Sequence, residues 1–279
     1  MFFLSLDFLP FDSRLWSLSF CHLLNKASLC PMAGSGDSTI SLPLQALMNN
    51  MTGYEAAHPY YPSDATIVGY SANESTVLSL LGSFVAGCIA IFGLTYLAVK
   101  KVNPRLPTSE LLTVMWFVLC GCIHLFFEGY FAYNNANLGG LQTFFGQLWK
   151  EYALSDSRYL TQNTFVFCVE AMTAVLWGPL SFVVAVLIAI DHPLRHPLQA
   201  AVSLGQCYGD MLYYATSMAD HYYLGIEYSR PEAYYFWGYY FGANFFWIVI
   251  PGVLLYNSIR TSADAIRQVQ ASQDSKKTI

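Results

Sequence analysis

Five stretches of this chain are long and apolar enough to cross a lipid bilayer, and that limits its fold more than any motif does. At about 1.5 Å of helical rise per residue, a hydrocarbon core of roughly 30 Å takes about 20 residues. Residues 76–99 reach that length with no Asp, Glu, Lys, Arg or His, and the runs 111–133, 165–190, 198–218 and 233–256 follow. Hydrocarbon offers an exposed backbone no hydrogen-bonding partner, so such runs must be helices. The expected fold is therefore an all-α integral membrane protein, five transmembrane helices in a bundle around an intramembrane polar cavity. Of 279 residues, 55% are hydrophobic and only 11% charged, which excludes an ordinary soluble domain.

The flanking segments read differently. Residues 2–24 are apolar but broken by Asp7, Pro10, Asp12 and Arg14, and they lack the basic start of a secretory signal. Residues 1–50 are thus expected to be an extra, disordered leader, with Met32, Met48 and Met51 as later starts. Residues 51–75 form a luminal lead-in held extended by Pro59 and Pro62, residues 76–259 the membrane domain, and residues 260–279 a cytosolic tail. The seven cysteines include no C-x-x-C pair, so they read as small core residues and not as a disulfide or zinc framework, and no metal site is expected. A net charge of −5 with no basic run longer than two excludes nucleic acid as a partner.

Lys and Arg counts set the orientation. Lys100, Lys101, Arg105, Arg195, Arg260, Arg267, Lys276 and Lys277 fall on one side, eight of the thirteen basic residues, which makes the C-terminus cytosolic. The ending Lys276-Lys277-Thr278-Ile279 then fits the dilysine pattern for retrieval to the endoplasmic reticulum membrane.

The apolar runs carry a few polar residues, and these share a depth. His124 and Glu128, four apart in the second run, lie on one helical face. Counting rise from the luminal ends puts Glu128 and Glu170 level at about 8 Å, His124, Thr173, Asp210 and Asn244 at roughly 12 to 17 Å, and Trp247 at roughly 20 Å. Taken singly, Thr173 and Asn244 are more often helix-to-helix hydrogen bonds than ligand groups, and Asp210 could serve a structural pair with Tyr208 or Tyr213. Two glutamates at membrane depth each cost several kcal/mol unless paired, protonated or hydrated, so they mark function. Burial favours a protonated acid and an imidazolium neighbour an ionised base, while the Trp247 face steadies a cation. Acid, base and aromatic face in apolar surroundings point to carbocation chemistry on a lipid. No nucleotide loop, Ser-His-Asp set or haem motif is present.

The stretches His124-Leu125-Phe126-Phe127-Glu128-Gly129-Tyr130-Phe131, Trp149-Lys150-Glu151-Tyr152, Asp156-Ser157-Arg158-Tyr159, 170–179, Tyr208-Gly209-Asp210 and 244–251 resemble the emopamil-binding protein family. Those are sterol Δ8,Δ7-isomerases of the endoplasmic reticulum with the five-helix EXPERA fold. The resemblance spans about 57–260, in order and at similar spacing. It implies protonation of a Δ8 sterol at C9 and loss of a proton from C7, with His124, Glu128 and Glu170 handling protons. Thr173 and Asn244 match polar groups around the reacting site, and Trp247 the aromatic beside the cation. Asp210 joins them as a substrate-binding candidate. It implies no cofactor, a sterol substrate within the bilayer, and cationic amphiphilic amines as inhibitors that imitate the intermediate. Which carboxyl is acid and which is base stays open. Loops 136–146 and 219–232 do not align, and are candidates for substrate preference and for oligomer contacts such as a homodimer. A non-catalytic sterol or amine binder on the same fold is the alternative reading. A proton-coupled transporter would be expected to show internal repeats, which this chain lacks.

Overall fold

The computed structural model describes residues 57–277, and these are helical with no strand among them. The expected leader at 1–50 lies outside the described residues, as do Thr278 and Ile279 of the dilysine pattern. Six helices follow in order: α1 (Val77–Val102), α2 (Thr108–Gly140), α3 (Phe144–Tyr152), α4 (Thr164–Ala189), α5 (Arg195–Leu224) and α6 (Tyr235–Lys276). Four of them, α1, α2, α4 and α6, are long and apolar enough to cross a membrane. The 30-residue α5 covers the fourth expected span and has the length, but it carries Arg195, His196, Gln199, Gln206, Asp210 and Asp220. Four spans, not five, therefore stand on length and composition.

Local chemistry sets the helix ends. Thr76 caps α1 by accepting from the Ser79 N–H at 3.3 Å, and Lys100 and Lys101 face the negative end of the helix dipole. Asn163 caps α4 through the Val166 N–H at 3.1 Å. Gly225, at φ +66°, ends α5 in the left-handed conformation that its missing Cβ permits. Pro179 falls within the first turn of the helical stretch Gly178–Ala189, so it stands just after a break in α4 and not inside a regular segment.

The breaks are π-helical turns. One occupies Ile123–Glu128 in α2, a second Thr173–Trp177 in α4, and a third Tyr235–Ala243 at the start of α6. Such turns are rare and recur at functional sites. The first two pack against each other. Gly178 permits that approach, since a Cβ there would stand 3.0 Å from the Leu125 nitrogen and 3.2 Å from its Cα. Gly178→Val is expected to lower stability by about 1–3 kcal/mol through overpacking. Thermal unfolding in detergent micelles measures this, and an unchanged midpoint would show that the two turns have slack.

Two hydrophobic clusters bracket the middle of the bundle. One gathers Leu111, Val114 and Phe117 of α2 with Val184, Ala185 and Ile188 of α4 and Val202 of α5. The other gathers Phe131, Trp149, Tyr159, Val166, Tyr213, Tyr235 and Tyr240. In α2, His124 and Glu128 lie between Phe117 of the first cluster and Phe131 of the second.

Residues 134–163, a polar connection between two apolar runs, form a buried cap of α3 and two 3₁₀ turns, Asn135–Gly140 and Ser157–Tyr159. Lys150, Glu151, Asp156 and Arg158 are all buried. Their polar atoms have partners, which offsets the desolvation that hydropathy alone would count against burial. Lys150 Nζ donates to the Ser71 carbonyl at 2.8 Å, and Arg158 Nη2 meets Asp156 Oδ2 at 2.6 Å. Residues of the lead-in complete the cap: Tyr60 Oη donates to the Lys150 carbonyl at 3.0 Å, and Ile67 joins the cap cluster.

Candidate active site

Glu128 and His124 form a contact across the π turn of α2. The imidazole Nδ1 lies 2.7 Å from Glu128 Oε2, with the two side chains only 5% and 12% exposed. Within that turn the Phe127 carbonyl accepts from the Trp149 indole N–H at 3.0 Å. That indole stacks on the Phe127 ring at 4.3 Å, so α3 holds the turn from the cap side.

The second nitrogen of His124 faces α5. Gln206 Nε2 lies 3.1 Å from His124 Nε2, a pair in which the amide N–H donates to the imidazole lone pair. Trp247 of α6 packs its ring 5.0 Å from that of His124, and Trp116 of α2 packs 5.0 Å behind it. Although arithmetic along the helices puts Trp247 deeper than His124, the reach of the indole brings the two rings together.

Glu170 of α4 is buried and takes a 2.8 Å hydrogen bond from the Tyr159 hydroxyl on Oε1. Its carboxyl also lies within hydrogen-bonding reach of Glu128. Glu128 is its strongest electrostatic neighbour, so the two carboxyls face one another. Burial, with the Glu170 carboxyl and Tyr152 adding to it, pushes the Tyr159 phenol well above its ordinary range, which keeps it a neutral donor. Tyr152 packs edge-on to Tyr159 at 5.2 Å and accepts from Asn244 Nδ2 at 2.8 Å.

Two expected site residues lie apart from the His124–Glu128 contact. The Thr173 hydroxyl donates to the Glu170 carbonyl at 2.8 Å, within its own helix at the start of the π turn. Asp210 is half-buried with Oδ2 unpartnered. The pair with a tyrosine does not form, because the Tyr213 hydroxyl is itself unpartnered and Tyr208 is 62% exposed. Thus His124, Glu128, Glu170 and Trp247 come together, Asn244 joins through Tyr152, Thr173 bonds only the Glu170 backbone, and Asp210 has no bond to them. Gln206, Tyr152, Tyr159 and Trp116 belong to the cluster without having been expected there. Only Gln206 had a sequence signal, an amide one turn before Asp210 in an apolar stretch.

An open cavity of about 280 Å³ lies apart from this cluster, lined by Ser217, His221, Tyr228, Arg230 and Phe236. Among the described residues no group of His, Cys, Asp and Glu side chains could hold a metal ion.

Four apolar helices and an acid-imidazole-acid cluster between hydrophobic layers define a helical membrane protein with ionisable groups buried inside it. Residues 144–258 match the family described as EBP: EXPERA (EXPanded EBP superfamily). The chain is 38% identical over 208 residues to the 3-beta-hydroxysteroid-Delta(8),Delta(7)-isomerase of Cavia porcellus, covering 73% of this chain and 88% of that protein. Isomerases of the same name from Mus musculus and Rattus norvegicus are 39% and 37% identical, each over 75% of this chain and 91% and 90% of their own lengths. The chain belongs to this isomerase family.

Proposed function

We propose that this protein is a sterol isomerase that moves the Δ8 double bond to Δ7. The observation that carries the reading is the His124–Glu128 contact facing Glu170, with Trp247 against the imidazole. A simple binder has no need of two facing carboxyls inside a bilayer. An isomerase does, since it adds a proton at one carbon and removes one from another.

One carboxyl donates its proton to C9, the C8=C9 π pair forms the new C9–H bond, and C8 is left cationic. The other group takes the C7 proton, and the electrons of that C–H bond become the C7=C8 π bond. One proton enters and one leaves, with no change of oxidation state, so the chemistry draws on no cofactor. Glu170, held by a neutral phenol, suits the donor. Glu128, set against His124, suits the acceptor because the imidazole can share the charge. Trp247 offers its π face to the intermediate. Asn244, Thr173 and Asp210 complete the substrate side, with α5 as the fifth span closing a polar cavity. The domain limits at 76–259, the endoplasmic reticulum, the cytosolic C-terminus and a homodimer belong to the same proposal.

The deciding test is complementation of a strain lacking its own isomerase, with sterols identified by mass spectrometry. Accumulation of Δ7 sterols supports the proposal; Δ8 sterols persisting beside folded protein would leave only a sterol or amine binder. Amine binding tests the cation role. Trp247→Leu is expected to weaken binding of a charged amphiphilic amine about tenfold, the loss of 1–2 kcal/mol of cation–π attraction, while neutral sterol binding changes less than about threefold. Equal losses in a binding titration would remove that role.

A further inference from the structure

Gln206 has no part in the chemistry above, yet it is 5% exposed and in contact with a group that does. Its amide nitrogen lies 3.1 Å from His124 Nε2, and its Oε1 has no hydrogen-bonding partner in spite of being buried. Cys120 is the other polar side chain in reach of the amide. A buried carbonyl left without a partner is costly, so this orientation of the amide calls for a reason.

We infer that Gln206 is a positioning residue whose amide reads the proton count of the His124–Glu128 pair, turning over by 180° each time the pair gains or loses a proton on the imidazole. The inference rests on the isomerase reading. With the amide N–H on Nε2, that nitrogen must present a lone pair, so the ring proton sits on Nδ1 and points at the Glu128 carboxylate 2.7 Å away. This is the state with the pair one proton short. When a proton reaches the imidazole, Nε2 carries a hydrogen and cannot face an N–H donor. Oxygen and nitrogen of an amide have nearly the same shape, so a turn about its last bond puts Oε1 on Nε2 without displacing any neighbour. The orphaned oxygen then gains its partner. The device works whichever way the proton moves in the cycle, because the pair passes between the two states once in each turnover.

Two readouts test this. The first is kinetic, using Gln206→Met, which keeps the length and apolar bulk but neither donates nor accepts well, and Gln206→Glu, which only accepts while ionised. Gln206→Met is expected to lower kcat about 10- to 100-fold with KM within twofold and unfolding unchanged, and to enlarge the isotope effect from deuterium at C7. Gln206→Glu should hold the imidazole protonated and lose more. The second is independent of turnover: nitrogen-15 NMR of histidine-labelled protein in nanodiscs, with the His124 signal assigned by its loss in His124→Asn. The wild-type signal should be that of a neutral Nδ1–H ring with unprotonated Nε2, and Gln206→Glu should convert it to an imidazolium. If wild type makes no Δ7 sterol but the ring signal responds as stated, the hydrogen bond stands and the isomerase reading falls. If wild type is active while Gln206→Met keeps its kcat and isotope effect, or the ring signal ignores both variants, the inference is overturned.

Discussion

Glu170→Gln is expected to lower conversion of a Δ8 sterol by about a thousandfold while leaving the protein folded. A positioned acid or base contributes on the order of 10²–10⁴ in rate, and the amide cannot give up or take a proton at neutral pH. Shape is preserved, because the Tyr159 hydroxyl that donates to Glu170 Oε1 can donate equally to an amide oxygen. Removing a carboxyl that faces Glu128 in apolar surroundings leaves no charge unpaired, so the unfolding midpoint should stay level or rise. The measurement is turnover in nanodiscs, set beside thermal unfolding of the same preparation. Activity near wild type would take Glu170 out of the mechanism, and a parallel fall in midpoint would make its role structural.

The second large effect is on stability and lies in the cap. Arg158 is 1% exposed and Asp156 is 0% exposed. Arg158 bonds both carboxylate oxygens, donates to Thr216 Oγ1 at 2.9 Å and to the Tyr213 carbonyl at 3.3 Å, and packs over the Tyr213 ring at 4.8 Å. One guanidinium thus ties the cap to the end of α5. Burial disfavours the cation, but the Asp156 carboxylate outweighs that and holds the guanidinium above its ordinary range. Arg158→Leu strands the buried carboxylate, which costs about 3–5 kcal/mol, or about 10 °C in the midpoint at this size. Replacing both partners, Asp156→Leu with Arg158→Leu, should recover part of the loss because no charge remains unpaired. A single variant as stable as wild type, by scanning fluorimetry in detergent, would show that water reaches the pair.

Hydropathy treats Lys150, Glu151, Asp156 and Arg158 as solvated, and each would be if it had no partner. Asp156 and Arg158 pair with each other two residues apart, but the remaining partners, Ser71, Tyr213, Thr216 and Tyr239, are remote in sequence, and no local pattern announces them. The same holds for Gln206 and Tyr159, whose roles are set by groups on other helices. The 4-residue spacing of His124 and Glu128, by contrast, is a local fact, and the contact between them survives even though the turn is π-helical and not regular.

What the chain determined on its own was therefore four of its five expected apolar helices and which polar residues they carry. Periodicity and hydrophobic length depend only on neighbours in sequence and on the bilayer, so the four apolar helices and the acid and imidazole positions within them followed directly. The tertiary structure alone decided which faces meet: that Glu170 turns to Glu128, that Trp247 packs tilted against His124, that Gln206 supplies the imidazole's second partner, and that a polar connection folds into a buried cap. Those choices depend on close packing between distant segments, as where Gly178 lets α4 reach the backbone of α2, and packing of that kind is a property of the assembled bundle and not of any one stretch.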